Sequence, residues 1–326
     1  MSSISEKILM LLISVTKQNV LLPFYHKVTN DKNTFAEDLY KPRKIIDFKN
    51  DLDVFNKYYT SIALESFVNI SKEKKNQNQK YFHLTFDDGL SNFYTVVAPI
   101  LLKKKTHATI FVNTDFIDNK ALFYRYKASL LNQYYKSSTG QIKSKFHDFF
   151  NQKKSIQNRL FSINYNTRKV LDDLAAEVNY SFEAFLEQKK PYLSSKQIQE
   201  LIDMGFTIGA HSKNHPLYSD LLFEQQIKQT TESLDVLIKK FNLTYKAFSF
   251  PHTDFKVTND FFIKLTKEQK LDISFGTSGL KKDRYPSNFQ RLVAEIDKPN
   301  FEQVLIFEYI KYLLKIPLGK NIMPRN

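Results

Sequence analysis

The sequence predicts an α/β fold, on three observations. Strand-like runs alternate with helical spacing twice, from Tyr81 to Val112 and again from Ser194 to Gly276. The connections are short, as in the βαβ units of a parallel sheet. The residues able to do chemistry gather where the strand-like runs end, at Asp87-Asp88, His211…His215 and Pro251-His252. In parallel α/β folds, ligands collect at the carboxyl ends of strands.

In chain order, Ile8 to Val15 is an apolar run between Lys7 and Lys17. It is too short to span a bilayer and has no small-residue cleavage site, so it reads as a first amphipathic helix of a cytoplasmic chain. Val20–Tyr25 reads as a strand with His26 just beyond it. Ile46, Phe48, Leu52, Phe55 and Tyr58 have roughly helical spacing. Residues 71–80 are polar and lysine-rich and read as a solvated loop. Strand Tyr81–Phe86 leads to the aspartates, a helix covers 93–102, and His107–Val112 is the next strand. From about 121 to 190 the pattern is helical with no clear strand, which predicts a helical insertion in one catalytic domain. Tyr124-Arg125-Tyr126-Lys127 at its start offer aromatic and cationic groups for a substrate groove, or else anchor the insertion. Ser194 and Gln197 form a capping box, and Gly205 is placed to end that helix. Strands follow at 206–210, 246–250 and 271–276, with Thr258 as a helix cap, a last strand near 293–296 and a last helix at 301–314. That helix is apolar around much of its circumference, which suits domain closure or contact with a membrane surface.

The 326 residues are 42% hydrophobic and 14% aromatic, ample for a large core. With no cysteine, disulfides and thiolate ligands are excluded, so a transition metal needs His and carboxylate ligands. The formal charge of +14 suits nucleic acid, anionic lipid or an acidic glycan. The lysines are scattered and no nucleic-acid signature appears, so charge alone does not support a nucleic-acid partner.

Asp87-Asp88-Gly89 admits two readings. Asp-Gly is a turn signal, while adjacent carboxylates at a strand end need compensation, for which a metal ion is the leading candidate. His211 and His215, four apart, can face one point if the chain turns after Ala210. Two imidazoles and a carboxylate suit a divalent metal with positions open to water, leaving the second aspartate as a base.

Thr85-Phe86-Asp87-Asp88-Gly89 and His211-Ser212-Lys213-Asn214-His215-Pro216 resemble the first two motifs of the polysaccharide deacetylases, carbohydrate esterase family four with its NodB homology domain. Phe250-Pro251-His252 stands where the third motif, Arg-x-Pro-Tyr, would fall, and Tyr25-His26-Lys27-Val28 is similar to the opening of many such chains. The resemblance runs from about Leu21 to Ile296. It implies a distorted (β/α) barrel that removes acetyl groups from N- or O-acetylated sugars of a glycan or its precursor. By motif position Asp88, His211 and His215 would bind the metal, usually zinc, and Asp87 would be the general base. The His252 N–H would help hold the oxyanion, and Pro251, His26, Tyr124 and Arg125 are candidates for substrate contact.

Two departures stand out. Ser249 lies near the place of the third-motif arginine, and His252 replaces its tyrosine. The late Leu-x-His general acid is missing, because all seven histidines lie at or before His252. His252 or His26 is then the candidate acid. The alternative is a protein that keeps the metal and binds sugar without turnover.

Overall fold

The computed structural model describes residues 4–31, 34–73, 79–151, 155–268 and 270–325. Eight short strands form one sheet: β1 (Pro23–Tyr25), β2 (Leu84–Phe86), β3 (Ala108–Val112), β4 (Thr207–Ala210), β5 (Ala247–Ser249), β6 (Ile273–Gly276), β7 (Asn288–Gln290) and β8 (Leu292–Val293). Their order is β7-β6-β5-β4-β3-β2-β1-β8, and every pairing is parallel.

The two edge strands, β7 and β8, are separated in the chain by Arg291 alone. The first half of 288–293 pairs with β6 and the second half with β1. One extended stretch therefore joins both edges, and the sheet curls into the nearly closed (β/α) barrel that the sequence predicts. The strands are buried along most of their length, as expected where helices cover a parallel sheet.

The stretch after β3 holds the helices Tyr124–Ser137, Gly140–Phe149, Ile156–Ser162, Lys169–Glu177 and Phe182–Lys189, ahead of the helix Ser195–Asp203 that leads into β4. The helices from Tyr124 to Lys189 enclose their own apolar cluster, with Tyr126, Leu131, Phe146, Leu160 and Leu171 buried inside it. This is the helical stretch expected at 121–190.

The Ser194–Gln197 capping box forms, and Gly205 follows the helix in the left-handed region at φ 91°. Other local expectations change. Thr258 occupies the N-cap position of the helix Asn259–Lys267, but its side chain makes no cap bond. The stretch 71–80 begins inside a helix, Leu64–Glu73, whose amphipathic spacing outlasts the lysine-rich composition; residues 74–78 lie outside the described residues. The last strand of the barrel starts at Leu292, and neither β7 nor the later strand Ile322–Met323 was foreseen. The first helix, Ile4–Thr16, and the last, Phe301–Lys315, pack against each other on the barrel. Among the described residues no helix is long and apolar enough to cross a membrane.

Candidate active site

The turn after β2 is sharp because Asp88 and Gly89 both take left-handed conformations, at φ 69° and 63°. A side chain at Gly89 would place its Cβ 2.8 Å from Val112 Cγ1, so only glycine fits. The turn reading of Asp87-Asp88-Gly89 holds in the structure. The turn carries the two carboxylates into a buried position at the carboxyl end of the barrel.

Strand β4 delivers His211. Ser212 and His215 then adopt φ 65° and 63°, and the His215 N–H donates to Ser212 Oγ at 3.0 Å. This turn, not a helix, folds His215 back toward His211. Asn113, just past β3, donates to the His211 carbonyl and braces the same turn. His252 is also left-handed, at φ 58°. Backbone strain of this kind concentrates at functional sites.

Asp88, His211 and His215 form a buried set able to hold a metal, with one ligand atom from each lying within 4.8 Å of the others. Asp88 Oδ1 is 3.0 Å from His215 Nε2 and 3.6 Å from His211 Nε2, yet it accepts no well-aligned hydrogen bond. A buried carboxylate oxygen facing two imidazole nitrogens fits a divalent cation. His211 Nδ1 lies 2.8 Å from the Ser249 carbonyl. That contact fixes Nδ1 as the protonated nitrogen and leaves the Nε2 lone pair for a metal. Burial holds the His211 imidazolium down to about 4, which keeps the ring neutral as a ligand must be.

The other Asp88 oxygen is held from the helical segment. The Tyr126 hydroxyl, fully buried, donates to Asp88 Oδ2 at 2.5 Å. The Phe123 ring packs 4.1 Å from the His215 ring. Outer partners of this kind set ligand orientation. Removing the hydroxyl with Tyr126→Phe is expected to weaken divalent-metal affinity by about 10-fold or more. Chelator competition on the purified protein checks this.

Asp87 meets the residue that the sequence did not reveal. Arg291, fully buried, donates from Nη1 to Asp87 Oδ1 at 2.8 Å and from Nη2 to Oδ2 at 2.7 Å. Its Nη2 also donates to Ser249 Oγ at 2.6 Å, and its Nη1 to Thr85 Oγ1 at 2.9 Å. The guanidinium lies 4.6 Å from the Phe24 ring centre and 5.6 Å from that of Phe111. The guanidinium missing at Ser249 is thus supplied from the β7–β8 junction, and the small serine side chain leaves room for it. Burial works to raise Asp87, but Arg291 and then His211 outweigh it and hold the carboxyl below its ordinary range. Such a fork still leaves carboxylate lone pairs free to accept a proton. The available signal was a basic residue inside the strand-like run 288–293, where a buried cation requires an acidic partner.

His26 follows β1 and is 24% exposed at its side chain. Its Nδ1 is 2.7 Å from Glu295 Oε2, and Glu295 Oε1 accepts from the His26 and Lys27 backbone N–H groups. Burial works to lower the His26 imidazolium, but Glu295, then Asp88 and Asp87, raise it to about 9. Tyr40 stacks on the imidazole at 4.8 Å, and its hydroxyl lies 3.1 Å from that of Tyr126. Arg43 holds the chain beyond Glu295 by donating to the Ile296 and Lys298 carbonyls, both at 2.7 Å.

The remaining candidates are spread around this centre. The His252 ring lies 4.6 Å from that of His215, and its Nε2 is buried without a partner. Burial, then His215 and Arg125, lower it well below the usual histidine range. Pro251 is buried in the turn leading to it. Arg125 is exposed, whereas Tyr124 is buried and packs on Phe123 and Tyr165. Tyr124 borders a cavity of about 180 Å³ with Asn214, Lys127 and Arg168. His83 is a packed core residue between the Ile62 carbonyl and Thr109.

A parallel barrel with groups able to hold a metal ion at the carboxyl ends of its strands suits a metal-assisted hydrolysis. The polysaccharide deacetylase family profile matches residues 74–273, and the chain belongs to that family, hydrolases that act on the C–N bonds of acetylated sugars. The Streptococcus pyogenes deacetylase PplD in complex with acetate is similar at 16% identity and TM-score 0.58, over 88% of this chain and 97% of that one. IcaB from Ammonifex degensii is similar at 14% identity and TM-score 0.55, over 89% and 97%. A de-N-acetylase from Aggregatibacter actinomycetemcomitans is similar at 14% and 0.54, over 88% and 99%. At these identities the structures speak to the fold. A comparison with curated proteins returns no match.

Proposed function

We propose that this deacetylase is metal-dependent and removes acetyl groups from an N-acetylated or O-acetylated sugar of a polysaccharide or glycan precursor. The observation that carries this reading is the position of Asp87. It is clamped by Arg291 and adjacent in the chain to Asp88, which faces His211 and His215. Asp88, His211 and His215 would hold the ion; a divalent cation there, zinc by its donor set, would supply Lewis acidity and lower the pKa of water.

The chain's own residues supply the rest. Asp87 takes the proton of the attacking water. Arg291 keeps that carboxylate ionised and fixed in direction. The His252 N–H donates to the oxyanion that develops as the acetyl carbonyl becomes tetrahedral. His26 returns a proton to the leaving amine, with Glu295 orienting the ring through Nδ1 so that Nε2 is the donor. This assignment rests on geometry, since His26 is partly exposed and backed by a buried carboxylate. Arg291 beside Asp87 and His26 beside Glu295 support turnover over the sugar-binding alternative, which rests on the missing late histidine.

The test is acetate release from N-acetylhexosamine oligomers before chelation, after it and after divalent metal is restored. Release that is lost and then regained is expected; release indifferent to thorough chelation contradicts metal dependence. A pH profile tests the acid. An imidazolium acid is active below its pKa, so activity falls as pH rises through it. Glu295→Gln removes the main charge raising His26, so the alkaline limb should move down from about 9 toward 6.5.

A further inference from the structure

The first and last helices carry an apolar surface on their outer sides. Ile4, Ile8, Leu11 and Val15 recur at helical spacing and are exposed, Leu11 at 63%, while Leu9 and Ile13 face the core. In the last helix Phe307, Ile310 and Leu314 are exposed, Leu314 at 69%, while Leu305 and Tyr309 face the core. The two helices pack on each other and bury their inner residues in the same cluster, so their outer stripes face the same solvent. Leu318, 67% exposed just past the last helix, extends the apolar area. Exposed apolar side chains gathered on two packed helices suit an interaction site.

The surroundings are basic. A cavity of about 370 Å³ beside the last helix is lined by Lys281, Lys311 and Lys315. Burial, then Lys311 and Lys281, lower the Lys315 ammonium, which places the three cations close together. Lys298 and Lys311 flank the Phe307 ring at 5.9 and 5.3 Å. Lys7 and Lys320 are exposed on the same two terminal segments. Glu308, which pairs with Lys311 at 2.6 Å, also lines the cavity, so the three lysines there outnumber its one carboxylate.

We propose that this face docks on an anionic lipid bilayer, with the apolar stripes entering the headgroup boundary and the lysines engaging lipid phosphates. An apolar helical face with a basic rim is the pattern of a helix lying in a membrane interface. A second copy of the chain fits the face less well. A two-fold interface would bring two lysine-rimmed faces of like charge together, whereas lipid phosphate neutralises them. The inference is independent of the proposed chemistry, and it gives the chain's net charge a local use.

The test is co-sedimentation of the full chain with vesicles of phosphatidylcholine alone or mixed with phosphatidylglycerol. Binding to the anionic vesicles should be at least about 10-fold stronger and should weaken as ionic strength rises. The double variant Leu11→Asp, Leu314→Asp should lose about 10-fold or more in binding, and Lys281→Glu, Lys315→Glu should lose the anionic preference. All four positions lie outside the catalytic machinery, so deacetylation of a soluble substrate should be unchanged. The proposal is overturned by absence of binding to anionic vesicles or by equal binding of the variants. A concentration-dependent dimer dispersed by Leu314→Asp also overturns it, since a second copy would then cover the face.

Discussion

Replacing Arg291 with methionine is expected to destabilise the protein by about 3–5 kcal/mol at neutral pH, because it leaves the buried Asp87 carboxylate without a partner. The guanidinium makes two bonds to Asp87 and one each to Thr85 and Ser249 inside the barrel. The pH dependence has a definite sign. The folded pKa of Asp87 is depressed, so its contribution is present above the unfolded value of about 3.9 and is lost as pH falls through the folded value. Without Arg291, burial prevails and Asp87 takes up a proton on folding. The stability gap between wild type and Arg291→Met should therefore narrow on acidification. Adding Asp87→Asn to Arg291→Met removes the unpaired charge and should recover much of the loss at pH 7 without restoring activity. Thermal denaturation across pH measures both effects; a wild-type melting temperature for Arg291→Met at neutral pH would contradict the pairing.

His26→Gln should lower kcat by about 10²- to 10⁴-fold while KM stays within a few-fold, the signature of a lost proton donor. Glutamine retains a hydrogen-bonding group toward Glu295 but cannot deliver a proton at neutral pH. Metal affinity should be preserved, because His26 lies outside the Asp88-His211-His215 set. A substrate whose leaving group needs no protonation, such as a nitrophenyl acetate ester, should be hydrolysed by His26→Gln at close to the wild-type rate. Equal losses on both substrates would assign His26 a structural role instead.

The barrel was largely legible because its signals are local. The alternation from Tyr81 to Val112 and from Ser194 to Gly276 reflects burial on both faces of short parallel strands, and the capping box at Ser194–Gln197 is complete within four residues. The Asp-Asp and His…His motifs were legible because each lies within one turn. What escaped was what depends on closure. Arg291 lies 204 residues from Asp87 in the chain, and they meet because the stretch 288–293 joins both sheet edges. Glu295 reaches His26 through the same closure, across 269 residues. Tyr126 stood out only as one of four residues, Tyr124 to Lys127, since spacing does not say which residue of a helical turn points inward at Asp88. In the last helix the apolar residues were evident in the sequence, but which remain exposed was decided by packing against the first helix.

Asp87 is the residue on which the account turns, as the carboxylate left to act on water beside the metal ligands. The most direct measurement compares acetate release from an N-acetylhexosamine oligomer by metal-loaded wild type and Asp87→Asn, with metal content and melting temperature recorded for both. The expected result is release by wild type and a loss of about 10²-fold or more in the variant at equal metal content. Equal rates from the two proteins would contradict the assignment of Asp87.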